Sequence, residues 1–308
     1  MHDGKWIDDV TAATPLAEAA RLVLAARLGV VGRCLAPALS LAYEDVEHVH
    51  QLRVATRRAR AALDIFADGL SEEAYAAGKK QLRRIRRAAG AARDWDVFLA
   101  TLTGTKRRWP PRQAPGRDLL VGYALAQRGA AQKRLGDLGD DYPDRFERLQ
   151  AEVRASVSPK RTQPSLLQLA RSLLADLVEQ LEKALAADLD DYARLHQARI
   201  EGKRLRYAME IFAACFAPAF RERLYPVVEQ MQEILGHAND SYVALGHLQD
   251  VLALIQHLPA GAAKRCRAGV ESFRDFHQRR LLQQRVKFAK WLELWRRSAP
   301  ANIIRTTV

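Results

Sequence analysis

Apolar residues recur along this chain at three- and four-residue intervals and never alternate over any length, which predicts helices throughout and no strands. The clearest stripe lies between His50 and Phe66. At about 100° per residue, Leu52, Ala55, Ala59, Leu63 and Phe66 fall on one side of a helix. Punctuation residues set the expected bounds. A first helix runs from Leu16 to Leu39, with Thr14-Pro15 at its start and Pro37 near its end. A second covers Asp45 to Phe66, and a third runs from Ser71, an N-cap residue followed by two acids, to Ala89. Gly90-Ala-Ala-Arg-Asp-Trp-Asp-Val97 then reads as a helix-turn-helix joint, with Gly90 closing one helix and Asp94 capping the next. Pairing of Asp94, and of Asp240 further on, with neighbouring arginines stays open at this point.

Thr103 to Arg117 combines Gly104, Pro110, Pro111, Pro115 and Gly116 with Lys106, Arg107, Arg108 and Arg112, and reads as a mobile basic loop. Helices follow from Asp118 to Leu135, Ser165 to Leu185 and Lys264 to Leu281. Breaks are expected at Gly139 to Pro143 and at Ser156 to Pro164. Phe288, Trp291 and Trp295 have core spacing on a last helix, and the residues after Ser298 read as a frayed tail.

One stretch occurs twice. His50-Gln-Leu-Arg-Val returns 146 residues later as His196-Gln-Ala-Arg-Ile, and the register continues. Gly90 to Val97 matches Gly236 to Val243, and Gln132-Lys-Arg-Leu135 matches Gln278-Arg-Arg-Leu281. Such a constant offset implies an internal duplication, with halves at residues 1–155 and 156–308. In both copies the side opposite the apolar stripe is basic. His50, Arg53, Arg57 and Arg60 stand in line over roughly 15 Å of helix, as do His196, Arg199, Lys203 and Arg206. Each row ends at an acid, Asp64 or Glu210. A solvated helix face normally mixes signs, and no carboxylate interrupts either row of four, so an anionic partner is expected to neutralise them.

Charge sharpens the picture. The 49 Lys and Arg outnumber 36 Asp and Glu, giving a net charge of +13 and pointing to a polyanion. Aromatic content of 7% leans away from recognition of unpaired bases. Cys34, Cys215 and Cys266 form no C-x-x-C pair and are expected to be reduced, which suits the cytoplasm. The apolar stretch at Leu16 to Leu39 is interrupted by Glu18, Arg21, Arg27 and Arg33 and reads as an amphipathic helix, with no membrane partner.

Metal chemistry finds little support, because the places at i+3 and i+4 from the two histidines hold Arg53, Val54, Arg199 and Ile200. No Walker loop, G-x-S-x-G or E-x-E-x-K occurs. The histidines fit phosphate hydrogen-bond donors better, with a pKa that rises when phosphate is bound. Bracing of a neighbouring helix is the plainer role left open for them.

These residues together resemble the CHAD family, the conserved histidine α-helical domains. The resemblance rests on both His-Gln-x-Arg-Val/Ile motifs with their trailing cations and on the Gly-x-x-Arg/Asn-Asp stretches at 90–94 and 236–240. It implies an all-α fold of two four-helix subdomains related by a pseudo-two-fold, with basic helices lining a central cleft or pore. It further implies non-catalytic binding of inorganic polyphosphate at cytoplasmic polyphosphate granules, with no cofactor. The chain looks like a stand-alone member without a fused triphosphate tunnel domain. Mapped by motif position, the implied binding set is His50, Arg53, Arg57, Arg58, Arg60, His196, Arg199, Lys203, Arg204 and Arg206. Lys79, Arg83, Arg87, Arg134 and Arg280 flank it. Arg58 and Arg204 sit about 80° round from the histidines and are also placed to bridge helices. Glu229, Gln230, Gln232 and Glu233 occupy the register of Arg83, Arg84, Arg86 and Arg87, so the surface is expected to be stronger on the first-half side. The alternatives are a nucleic-acid-binding protein, or a phosphohydrolase or phosphotransferase acting through His50 or His196.

Overall fold

Capping residues decide where several helices begin. Ser71 Oγ accepts the Ala74 amide, and Ser165 and Gln168 cap each other reciprocally. Asp191 accepts the Ala193 amide at 2.8 Å. The computed structural model describes residues 4–104, 108–158 and 164–298. Among the described residues it is all-helical, with nine α-helices and no strand. They are α1 (Leu16–Ser40), α2 (Glu47–Ile65), α3 (Glu72–Thr103), α4 (Ala114–Gly136), α5 (Tyr142–Ala155), α6 (Leu166–Leu185), α7 (Tyr192–Phe212), α8 (Tyr225–Ile255) and α9 (Ala260–Ser298). Successive helices pack as neighbours from α1 to α4 and again from α6 to α9, while α5 lies against α1 and α3. The two series touch through α2 with α7, α3 with α8 and α4 with α9.

The apolar stripes read from the sequence form the core. Leu52, Ala59 and Leu63 of α2 are fully buried, as are Leu82 and Ile85 of α3, and Phe288, Trp291 and Trp295 pack inside. Among the described residues one helix, α1, is long and apolar enough to cross a membrane. Here Val23, Leu24, Leu28 and Val31 are buried in the common core, and α1 packs against α2 and α5. Cys215 is buried, and Cys34 and Cys266 are partly so.

Several expected boundaries are corrected. No joint forms at Gly90 or Gly236: α3 and α8 run straight through both. A mid-helix glycine costs only about 1 kcal/mol, and the surrounding alanines are strong helix formers. The bare Cα at position 90 also leaves room for Arg53, since a Cβ there would stand 3.1 Å from Arg53 Nη1. Asp94 therefore caps nothing and pairs with Arg53 instead. The expected basic loop is shorter, because Ala114 already opens α4 and Pro115 sits in its first turn. Gly116 serves a close helix crossing, where a Cβ would fall 2.1 Å from the Cys266 carbonyl oxygen. Lys106, Arg107 and the tail beyond Ser298 lie outside the described residues. The break at 139–143 is a tight turn, with Gly139 at φ +91°, leading into an additional helix, α5. The position 146 residues on is Arg285, which carries no such turn, and α9 continues through it as one long helix.

A buried carboxylate fastens four helices. Glu210 of α7 is 0% exposed and accepts Arg58 Nε of α2 and the Tyr225 hydroxyl of α8, each at 2.8 Å. Arg206 Nε lies 3.8 Å away and Arg27 Nη2 of α1 3.9 Å. Arg27 also donates to the carbonyls of Gly4 and Lys5, which draws the N-terminal segment over the cluster. Burial and Glu210 together push the Tyr225 phenol upward, so it remains a donor. Removing one partner of a buried pair strands the others. Glu210→Gln is expected to lower the unfolding free energy in a urea titration by about 3–5 kcal/mol, and a loss under about 1 kcal/mol would contradict this role.

Candidate anion-binding site

The apolar face of α2 is held by the core, which turns His50, Arg53, Arg57 and Arg60 to its other side. On α7 the same arrangement presents His196, Arg199, Lys203 and Arg206. Because α2 and α7 touch, these rows meet. Arg57 is an electrostatic neighbour of His50 and Arg53 on its own helix and of Arg199 and Lys203 across the interface. Lys203 in turn faces Arg57, Arg199, Arg53 and Arg206.

Few acids offset this charge. Arg53 Nη1 donates to the Gly90 carbonyl at 2.8 Å, and its Nη2 lies 3.3 Å from Asp94. Asp240 is the acid beside Arg199. The Nε atoms of Arg199 and Arg206 and Nδ1 of His196 are buried with no hydrogen-bond acceptor among the described residues. Buried donors of this kind are rare without a ligand or water to receive them.

The pKa directions follow. Burial, then Arg57, Arg199 and Arg53, push the Lys203 ammonium down to about 5. Arg53 is lowered by burial and Arg57 to about 10 and stays charged at neutral pH. Burial is also the main cause lowering His50, helped by Arg93, Arg57 and Arg53, and lowering His196, helped by Arg199 and Lys203. The site is therefore short of negative charge, and an entering anion would reverse each shift.

Other residues named from the sequence fall in different places. Arg60 is held by Asp64 at 2.7 Å, at the end of its own row. Arg58 leaves the group for Glu210 and bridges α2 to α7. Arg204 also stands apart, tied to Glu201 and to Gln180 of α6. Arg83 and Arg87 are exposed on α3, and Lys79 donates to the Tyr75 hydroxyl. Arg280 meets Nδ1 of His237 at 2.8 Å in an open groove between α8 and α9. Among the described residues, no ion pair ties Arg134, exposed in the last turn of α4, to the central group. In the second half, Glu229 pairs with Lys5 and Gln232 donates to the Arg199 carbonyl.

Sequence reasoning missed two members. Arg86 of α3 neighbours Arg57 and Arg60, and Arg93 neighbours His50 and Arg53. Arg93 was readable only with α3 unbroken, because the expected joint at Gly90 would have turned it away. Residues 24–249 match the CHAD domain family. The chain belongs to that family. The crystal structure of the CHAD domain from the plant Ricinus communis is 27% identical, with 97% of this chain and 96% of that one covered and a TM-score of 0.72. PptA from Streptomyces chartreusis is 18% identical over 91% and 100% of the two chains, with a TM-score of 0.70, and shares the fold. No curated protein gave a match.

In this CHAD domain the low Lys203 pKa is directly measurable. NMR of its ε-carbon is expected to show titration near 5 in the free protein, and a return at pH 7 to the charged form on adding a multivalent anion. Titration in the ordinary lysine range near 10 would contradict the account. Stability carries the same sign. With its folded pKa below its unfolded one, Lys203 makes folding less favourable as pH falls from about 10, an effect that levels off below about 5. Lys203→Met should therefore stabilise the free protein at pH 7, by an amount that shrinks as pH rises toward 10.

Proposed function

We propose that this CHAD domain binds inorganic polyphosphate without turning it over, in a cationic cleft between two repeated halves, residues 1–155 and 156–308. The observation that carries the reading is that Arg57 of α2 shares one neighbourhood with Arg199 and Lys203 of α7, where few acids offset the positive charge. A chain with one negative charge per phosphate can follow such a track with no base to recognise, gaining charge-assisted hydrogen bonds and releasing counterions. Arg199 and Arg206 would donate their orphaned Nε groups to phosphate oxygens, and His50 and His196 would add ring N–H donors. Arg83, Arg86 and Arg87 extend the track along α3. Arg58 and Arg204 act from behind, by fixing α7.

The repeat is supported by helix register. Helices α4 and α9 begin 146 residues apart, and α2 touches α7, α3 touches α8 and α4 touches α9, as a pseudo-two-fold would require. Residence in the cytoplasm, on polyphosphate granules, belongs to the same proposal.

Binding should weaken with salt, log K falling against log salt with a slope of about −3 to −4 if about four to six phosphates are neutralised. Arg57→Ala with Lys203→Ala is expected to cut affinity for long-chain polyphosphate at least about tenfold, while circular dichroism shows an intact helical fold. Full affinity in that folded variant would overturn the site. Duplex DNA or single-stranded RNA outcompeting polyphosphate at equal charge would favour the nucleic-acid reading. Chain shortening with magnesium that His50→Ala abolishes would favour an enzyme. Because occupied Lys203 takes up a proton, affinity should climb as pH is lowered toward about 5 and level off below it.

A further inference from the structure

The α7 row does not stop at His196. One turn earlier, at i−4 and roughly 6 Å along the axis, the same stripe carries Tyr192. Its ring lies 6.0 Å from the His196 ring and stacks on Tyr242 of α8, with centroids 3.4 Å apart and planes within 5°. The Tyr192 hydroxyl donates to Asn239 at 3.2 Å, which fixes the stack against α8. Tyr242 is 47% exposed, so it offers a flat aromatic surface to solvent at the end of the cationic row. The first half has no equivalent: the matching positions hold Val46 and the buried Asp96.

Acids join the surroundings here as well. Asp240 neighbours both Tyr192 and Arg199, and Asp191 caps α7 one residue before Tyr192. Beyond His196 a bare phosphate chain meets no further cation of the row, only Tyr192 and the Asp191 cap. A neutral, flat group bearing hydroxyls and amines would gain both stacking and hydrogen bonds. From this placement we infer that the second-half end of the track is a nucleoside subsite, and that the site takes nucleoside 5′-polyphosphates, with the base on Tyr242 and the phosphates over His196, Arg199 and Lys203. The inference rests on the anion site proposed above and adds the aromatic end to it.

The test compares ATP with inorganic tripolyphosphate by calorimetry on the full chain, in chelator and at fixed ionic strength. The two carry the same number of phosphates, and ATP has the nucleoside in place of one terminal ionisation, so any advantage of ATP arises against a smaller charge. Stacking of one base is expected to make ATP bind about tenfold tighter. Tyr242→Ala should remove that advantage and leave tripolyphosphate affinity unchanged, and Tyr242→Phe should restore it. An ATP to tripolyphosphate ratio unaltered by Tyr242→Ala would overturn the inference while leaving the anion site standing. Failure of both ligands to bind would overturn the two together.

Discussion

The packing of α2 against α7 places cation beside cation, and one buried carboxylate at the end of that interface offsets part of the repulsion. Glu210 joins Arg58 across the helix interface and gathers Arg27, Arg206 and the Tyr225 hydroxyl around itself. The carboxylate is fully buried, so removing it leaves Arg58 and Arg206 without their buried acid. The other row ends at Asp64, which binds Arg60 of its own helix and the Tyr75 hydroxyl of α3 at a partly exposed site. The two acids occupy equivalent sequence positions and do different work. One locks four helices, and the other restrains the end of a single row.

With one end locked, the rest of the interface is free to keep its excess positive charge. Arg57, Arg199 and Lys203 remain close with few acids between them, and burial first, then those arginines, lower the Lys203 ammonium so that it gives up its proton. That response relieves part of the repulsion in the free protein. An entering polyanion reverses it, so a portion of the binding free energy goes into recharging the site. Function in this reading is stored as electrostatic imbalance: the structure holds a cationic cluster with few acids beside it.

Much of this was legible in the sequence, for physical reasons that particular residues make clear. Helical periodicity put the basic residues on one face, and the 146-residue offset tied His50 to His196. The helical wheel set Arg58 and Arg204 aside from the rows, and both engage carboxylates, Glu210 and Glu201. The glycines misled. Gly90 reads as a helix terminator by local rules, yet it serves the approach of the Arg53 guanidinium, a contact between residues 37 apart that no local pattern records. The same misreading hid Arg93. Arg86 was passed over because Arg83, Arg84, Arg86 and Arg87 follow one another closely, and the sequence does not say which of them faces α2. The burial of Glu210 was likewise invisible, since the motif position gives an acid but not the three helices that close over it.

The central claim is that the two rows act as one site, and a crystal structure with a short-chain polyphosphate bound tests it most directly. The account predicts a single chain of phosphates within hydrogen-bond distance of both Arg57 and Lys203. A chain lying elsewhere on the surface, with neither of those side chains touching it, would contradict the account.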